Sequence, residues 1–192
     1  MNKTAETQSP ILPEIANRWS PRAYDKSYVL SNEDIVKVLE AARWAPSANN
    51  LQPWRFSVVT RGEKLHETIS TQALSGFNAA WVPNASGIVF ISIPTQAPDG
   101  RDYTIAWFDA GLAAQNLMIE AQAIGLASHP LSGFDSEKVT DILALPEGYK
   151  AIAAITLGKR AEPEALEGGA YEREIAPRTR LALHEIVLHG LN

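Results

Sequence analysis

Gly87-Ile88-Val89-Phe90-Ile91-Ser92-Ile93-Pro94 carries a run of apolar side chains between a glycine and a proline. Neighbouring side chains of a strand point to opposite sides of the sheet, so a strand with this pattern is covered on both faces. A second run of the same kind, KAIAAITL, lies at 150–157. We therefore predict two buried strands in a sheet that has other elements packed on each side.

Helical patterns surround these strands. Ser31 is the expected N-cap of a helix that Pro46 stops, and further helices are predicted over 63–74 and 136–143. The longest helical pattern covers 103–124. Its predicted inward positions are Ile105, Phe108, Leu112, Ile119 and Ala123. Because a further strand is expected over 54–60, strands alternate with helices and the class is mixed α and β.

The longest helix is also rich in small residues, which allow another backbone to approach closely. Two interpretations remain open: the close neighbour lies within the same chain, or it belongs to a second copy across a dimer. The small residues are Ala110, Gly111, Ala113, Ala114, Ala121 and Ala123.

The chain length of 192 residues is that of one domain with a short appendage. Residues 1–13 are polar, end in a proline and show no usable period, so a flexible N-terminal arm is expected there. Residues 14–192 are expected to form a single domain. No internal repeat is visible in the sequence.

Charge and cysteine content exclude several classes of protein. Seventeen Lys and Arg against 22 Asp and Glu give a net charge of -5, so no basic field attracts nucleic acid or an anionic membrane. The absence of cysteine excludes disulfides, thiolate zinc sites, iron–sulfur clusters and a cysteine nucleophile. No apolar secretion segment occupies the first ten residues, and a cytoplasmic location is expected.

Common catalytic and nucleotide-binding motifs are missing from the sequence. It contains no Gly-x-Gly-x-x-Gly, no phosphate-binding loop ending in Gly-Lys-Ser/Thr, and no Gly-x-Ser-x-Gly. His184 and His189 are five residues apart and would lie on different faces of a helix, so no metal site is predicted. His129 has no partner nearby in the sequence, which favours a packed or solvated histidine over a general base.

One short segment has the composition of an anion clamp: Arg18-Trp19-Ser20-Pro21-Arg22. Pro21 favours an extended conformation at Ser20, and residues two apart in an extended chain share a face. Arg18, Ser20 and Arg22 would then point the same way. The alternative interpretation is a solvated basic turn.

Three further segments resemble parts of a ligand site. The loop 45–54, APSANNLQPW, offers amides that both donate and accept hydrogen bonds, as the edge of a heteroaromatic ring requires. The segment 129–134, HPLSGF, either presents backbone N–H groups to a flat ligand or is a plain strand-to-helix connection. Arg178 and Arg180 are again two residues apart and could meet the first arginine pair around one phosphate.

In this order, the segments resemble the FMN-dependent nitroreductase family. The resemblance covers residues 18–181 and rests on Arg18-x-Ser20-x-Arg22, Pro46 to Phe56, Asp109-x-Gly111, Gly125-Leu126, Pro130 to Asp135 and Arg178-x-Arg180. It implies an α+β fold with a central mixed, mainly antiparallel sheet flanked by helices. It also implies an intertwined homodimer with two FMN molecules at the subunit interface.

The resemblance implies FMN contacts in four parts of the chain. Those expected to hold the phosphate, ribityl chain and pyrimidine edge are Arg18, Trp19, Ser20 and Arg22, with Arg178 and Arg180 near the phosphate. Those expected to reach the same FMN from the partner subunit are Ser47, Ala48 and Asn50. Those expected along the isoalloxazine ring are Asn78, Pro130, Leu131, Ser132 and Gly133.

The implied activity is that of an NAD(P)H oxidoreductase. FMN carries the chemistry, so no side chain is assigned as a catalytic acid or nucleophile, and the charge of Arg22 would favour reduction. NADH or NADPH would reduce the flavin, and a nitroaromatic, quinone or activated enone would reoxidise it at the same face. The alternatives are a dehalogenase, a dehydrogenase, a flavin-fragmenting enzyme or a non-catalytic flavin-binding protein. Candidate aromatic contacts for the substrate, each with a place in the core as the alternative, are Phe77, Trp81 and Tyr103.

Overall fold

The two apolar runs form neighbouring strands at the centre of one sheet. In the computed structural model, which describes residues 3–190, the strands are β1 (Arg55–Thr60), β2 (Gly87–Pro94), β3 (Ala127–Leu131) and β4 (Tyr149–Gly158). Their order is β1-β2-β4-β3, and each pairing found within residues 3–190 is antiparallel. The predicted α+β fold with a central, helix-flanked sheet is confirmed.

All four predicted helices are present in the structure. Ser31 caps the second helix, and its hydroxyl accepts a hydrogen bond from the Asp34 amide at 3.0 Å. The helices are α1 (Pro13–Asn17), α2 (Asn32–Arg43), α3 (Lys64–Gln72), α4 (Gly76–Ala79), α5 (Ile105–Ala123), α6 (Ser136–Ile142), α7 (Gly168–Ile175) and α8 (Leu183–Ile186).

Hydrophobic clusters cover both faces of the sheet, as the two-sided pattern of β2 predicts. One cluster joins Val89 and Ile91 of β2 to α2 and α5. The other joins Ile88 and Phe90 to α3, α6 and Trp81. Because both of its faces are buried, β2 is an interior strand, and the helices pack against it from both sides of the sheet.

The face that α5 buries differs from the predicted face. Ile105 is 45% exposed, Phe108 is 63% exposed, and Ala123 is also exposed, whereas Leu112 and Ile119 are half-buried. The buried positions are Ala106, Asp109, Ala110, Ala113, Leu117, Met118 and Ala121. Small residues let α5 lie close to α2 and the sheet, so the helix packs its alanines inward and leaves its largest apolar side chains outside. The within-chain interpretation of the small residues therefore holds for Ala110, Ala113 and Ala121.

Strand β3 and helix α7 are among the elements that were not predicted. Strand β3 contains His129, Pro130 and Leu131. Among residues 3–190 it pairs only with β4, so Pro130 lies on an edge strand where a missing N–H is tolerated. The segment 129–134 thus spans the end of β3 and the start of the connection to the helix Ser136–Ile142. Helix α7 lies in a charged stretch that shows no usable helical pattern, because its buried face includes a glutamate, Glu174.

The two ends of the described chain lie against each other. The Lys3 ammonium donates to the carbonyl oxygens of Glu174 and Ala176, and Gln8 accepts from the Leu183 amide at 3.1 Å. The predicted arm and domain also include Met1, Asn2, Leu191 and Asn192, which lie outside the described residues. Within 3–190, no helix is both long and apolar enough to span a bilayer.

Candidate cofactor site

The segment 18–22 is extended and partly buried. Arg18 has φ -67° and ψ 127°, and its Nη1 lies 3.4 Å from the Ser20 hydroxyl oxygen, so the two side chains share a face as predicted. Arg18, Ser20 and Arg22 are half-buried, and Trp19 is buried with the Lys3 ammonium 4.5 Å from its ring centre. The solvated basic turn is therefore excluded.

Three arginines from opposite ends of the chain converge. Burial lowers the pKa of Arg18, and the positive charges of Arg178 and Arg180 lower it further. Burial and the charge of Arg180 likewise lower the pKa of Arg178. Throughout the described chain, no carboxylate forms an ion pair with any of the three. Gathered like charges without a counter-charge fit a bound anion such as a phosphate.

Arg178 is fixed by the backbone of the N-terminal region. Its Nη1 donates to the carbonyl oxygens of Lys3, at 2.6 Å, and Ala16, at 2.7 Å. These bonds use one edge of the guanidinium and hold the side chain at the junction of the arm and α1. The Ala5 amide, which donates to Ala16 at 2.9 Å, fixes the same junction. The position of Arg178 therefore depends on the arm.

Arg22 lies between aromatic rings with part of its guanidinium unpaired. Its Cζ is 5.5 Å from the ring centre of Phe77 and 5.9 Å from that of Trp81, and its Nε is buried without a hydrogen-bond partner. Burial lowers the pKa of Arg22, while the carboxylate of Glu174 raises it. A buried N–H without an acceptor costs about 1–3 kcal/mol. A ligand oxygen or ring nitrogen would supply the missing acceptor.

Asn78 and Gly133 are joined directly. The Asn78 amide nitrogen donates to the Gly133 carbonyl at 2.9 Å, and the Asn78 oxygen accepts from the Trp81 indole at 3.2 Å. A Cβ at position 133 would overlap the Asn78 amide nitrogen, so any larger residue there would force this amide to move. The bond from Asn78 to the Gly133 carbonyl holds the loop after β3, which includes the exposed Ser132, beside α4. Asn78 and Gly133, two of the residues predicted to contact the isoalloxazine ring, are therefore neighbours.

The loop 47–52 is a separate feature held by α5. The Ala48 amide lies 3.2 Å from a carboxylate oxygen of Asp109, which is buried, and the Ser47 hydroxyl accepts from the Gln52 amide at 3.0 Å. Asn50 has φ 56°, a left-handed conformation that asparagine tolerates. No hydrogen bond or ion pair among the described residues connects this loop to the arginines of the clamp. Ser47, Ala48 and Asn50 therefore do not join the clamp within one chain.

The three aromatic candidates for substrate contact are placed differently. Trp81 is 0% exposed and Tyr103 is 6% exposed, so both lie in the core, which is the alternative interpretation given for each. Their burial follows from position: Trp81 lies between Tyr24 and His129, and Tyr103 packs against the α2–α5 cluster. Phe77 is half-buried and borders Arg22.

Sequence reasoning missed the residues that support the site from behind. Glu174 is 2% exposed and its carboxylate accepts from the Arg22 amide at 2.7 Å. His129 contacts the Pro21 carbonyl through Nδ1 at 2.9 Å, which agrees with its interpretation as a packed residue. Asp109 belongs to the segment Asp109-x-Gly111 of the family resemblance, but the sequence suggested no role for its carboxylate. Only the shared helical face of Ala170 and Glu174 could have singled out Glu174 among its charged neighbours.

Comparison with known proteins defines the class of protein to which this fold belongs. The model of the nitroreductase family matches residues 15–91 and 73–159. Family membership is shown on that basis: the chain belongs to the nitroreductase family.

Individual relatives extend over most of the chain. The chain is 30% identical over 183 residues to the CLA biosynthesis enone reductase of Lactiplantibacillus plantarum, covering 76% of this chain and 83% of that protein. It is 32% identical over 152 residues to an Archaeoglobus fulgidus protein assigned as an NADH dehydrogenase/NAD(P)H nitroreductase, covering 77% and 83%. A crystal structure described as an oxidoreductase containing FMN superposes with a TM-score of 0.88 at 30% identity, covering 97% of this chain and 95% of that one.

Proposed function

We propose that the protein is an FMN-dependent oxidoreductase that takes electrons from NADH or NADPH and reduces a small electrophile. Membership of the nitroreductase family and similarity to an FMN-containing oxidoreductase support this activity. The observation that carries the proposal is the convergence of Arg18, Arg178 and Arg180 without a paired carboxylate. A dianionic phosphate ester is the ligand that such a cluster fits best.

The remaining predicted residues fit the rest of FMN. Arg22 has a buried, unpaired N–H beside the clamp, which suits an acceptor atom on the pyrimidine edge. The loop after β3 offers Ser132 and Gly133 beside Asn78, and we assign these, with Pro130 and Leu131, to the isoalloxazine ring. Trp19 and Ser20 complete the segment that lies against the ribityl chain and phosphate.

We assign Ser47, Ala48 and Asn50 to the FMN of a partner subunit. The Ala48 amide donates to the Asp109 carboxylate of α5, yet among the described residues the loop makes no hydrogen bond to the clamp of its own chain. The exposed side of α5 carries Ile105, Trp107 and Phe108, each at least 45% exposed. Contiguous exposed apolar side chains of this size mark an interface, which supports a homodimer.

In this proposal the protein binds and orients FMN, the donor and the acceptor, and FMN supplies the transfer of electrons from the nicotinamide to the substrate. Arg22 places positive charge where the reduced cofactor becomes more negative, which favours reduction. Since the sequence has no separate dinucleotide-binding motif, donor and acceptor take turns at one face. We place the activity in the cytoplasm. The relationship to an enone reductase supports activated enones, beside nitroaromatics and quinones, among the acceptors to be tested.

Steady-state kinetics with FMN-loaded protein test this function. NADH and NADPH are each varied against a quinone, a nitroaromatic and an activated enone, and consumption of donor and acceptor is followed. Turnover with parallel double-reciprocal lines is expected for a shared site. Intersecting lines would show two independent sites. FMN binding without turnover would favour the non-catalytic flavin-binding protein, and turnover limited to dehalogenation, dehydrogenation or flavin cleavage would favour a specialised enzyme.

A further inference from the structure

One peptide group in the clamp is held at both of its polar ends by buried side chains. The carbonyl of Pro21 contacts His129 Nδ1 at 2.9 Å, and the amide of Arg22 donates to the Glu174 carboxylate at 2.7 Å. These two groups belong to the same peptide bond. The other Glu174 oxygen lies 3.4 Å from the Ala23 amide.

The two holding side chains come from elements far apart in the sequence. His129 lies on β3 and Glu174 on α7, and they are 8% and 2% exposed. His129 Nδ1 faces a carbonyl, so Nδ1 carries the proton and donates. A carboxylate that accepts backbone N–H bonds in a buried place is held in one orientation. The Pro21–Arg22 peptide plane is thus fixed by two directional bonds.

We propose that Glu174 and His129 are positioning residues that hold the Pro21–Arg22 peptide so that the Arg22 guanidinium faces the pyrimidine edge of FMN. This inference rests on the proposed function. Neither residue is one of the predicted FMN contacts, and each acts through Arg22. Arg22 is suited to such control because its Nε is buried and makes no bond of its own to protein.

The sign of the redox change separates positioning from a simple charge effect. Removing the negative charge of Glu174 alone would favour the reduced, more negative cofactor and raise the midpoint potential. Releasing Arg22 from its position would disfavour the reduced cofactor and lower the potential. Glu174→Gln removes the charge but keeps an oxygen that accepts from the Arg22 amide, whereas Glu174→Ala removes both.

The experiment measures FMN affinity and the midpoint potential of bound FMN by dithionite titration with reference dyes. For Glu174→Ala, we expect the preference for reduced over oxidised FMN to fall about tenfold, or about 30 mV for a two-electron couple. Glu174→Gln should lose less than Glu174→Ala. The matched control is Glu172→Ala, an exposed glutamate of the same helix, which should match wild type.

A double-mutant cycle tests whether Glu174 acts through Arg22. In an Arg22→Ala background, Glu174→Ala should no longer lower the potential. An equal fall in both backgrounds, no fall, or an equal fall for Glu174→Gln would overturn the proposal. His129→Phe removes the donor to Pro21 while retaining a ring against Trp81, and it should lower the potential without any change of negative charge.

Amide exchange in the FMN-free protein keeps the inference testable apart from the proposed function. Failure of wild type to bind FMN would refute the proposed function. Exchange at Arg22 should still be faster in Glu174→Ala than in Glu172→Ala if the peptide is held as described. Equal exchange in the two variants would overturn the positioning role, and thermal unfolding of each FMN-free variant shows that it has folded.

Discussion

His129 packs against Trp81 with ring centroids 4.4 Å apart, directly behind the segment that carries the clamp arginines. Trp81 is fully buried. The His129 imidazole therefore has a buried indole on one side, and its Nδ1 contacts the Pro21 carbonyl oxygen. Burial lowers the pKa of His129 to about 4, and the nearby charges of Arg22 and Arg18 act in the same direction. The histidine is therefore neutral in the folded protein at neutral pH.

Stability should fall on acidification because of this histidine. The unfolded chain takes up a proton near pH 6.5, whereas the folded chain does so only near pH 4, so the unfolded state binds more protons between these values. The free energy of unfolding should lose about 3 kcal/mol across this window through His129. Urea unfolding at several pH values measures the loss.

His129→Phe provides the comparison for this pH dependence. It removes the titrating group, so the free energy of unfolding should fall less steeply from pH 6.5 to 4 than in wild type. His184→Gln, which replaces an exposed histidine of α8, is the control for the loss of a histidine elsewhere in the chain. An unchanged slope in His129→Phe would contradict the effect of burial.

Arg18→Ala should weaken FMN binding. Loss of one charge-assisted contact to phosphate costs about 1.5–3 kcal/mol, or roughly ten- to a hundredfold in the dissociation constant. Quenching of FMN fluorescence gives this constant. Arg101→Ala removes an arginine that is 81% exposed and pairs with Asp99, and it should bind FMN as wild type does. Equal affinities of the two variants would refute the phosphate clamp.

Gly133→Ala should disturb the contact between the loop after β3 and α4. The added methyl group overlaps the amide of Asn78, so the bond from Asn78 to the Gly133 carbonyl must break or shift. We expect a loss of about 1–3 kcal/mol in the free energy of unfolding. Gly169→Ala is the control, since its new Cβ would meet only Phe77, at 3.9 Å, and chemical denaturation should show no loss. Equal stability of the two variants would contradict this close packing.

Phe108→Glu should disrupt the proposed dimer. Phe108 is 63% exposed on α5, and a charge there cannot be buried between two copies without a large cost. Light scattering should show a dimer for wild type and a monomer for Phe108→Glu. FMN affinity should fall with dissociation because the partner loop 47–50 is lost. Val29→Glu, at a position 78% exposed outside α5, should remain dimeric. A wild-type monomer that retains FMN would contradict the shared site.

The sequence predicted those parts of the fold that depend on local patterns. The apolar run at 87–94 gave a correct interior strand, and Ser31 gave a correct helix start. The predicted inward face of α5 was wrong because the packing partners of an alanine-rich helix decide which face is buried, and Phe108 is left 63% exposed.

In the candidate site, too, local sequence patterns predicted some features, whereas others depend on contacts between distant parts of the chain. Spacing placed Arg18 and Ser20 on one face, which the structure confirms for the side chains themselves. It could not reveal that Glu174 accepts from the Arg22 amide, because the contact joins residues 152 positions apart. A buried glutamate among exposed charges has no local signature, and only the tertiary fold identifies it.

Anaerobic titration of the FMN-loaded protein with NADH and NADPH tests the central claim most directly, because it asks whether this chain both holds the flavin and admits the donor. We predict that at least one donor bleaches the visible flavin absorbance stoichiometrically, and that an added quinone, nitroaromatic or enone restores it. A protein that retains FMN through gel filtration but is bleached by neither donor would contradict the proposed oxidoreductase, as would one that retains no FMN.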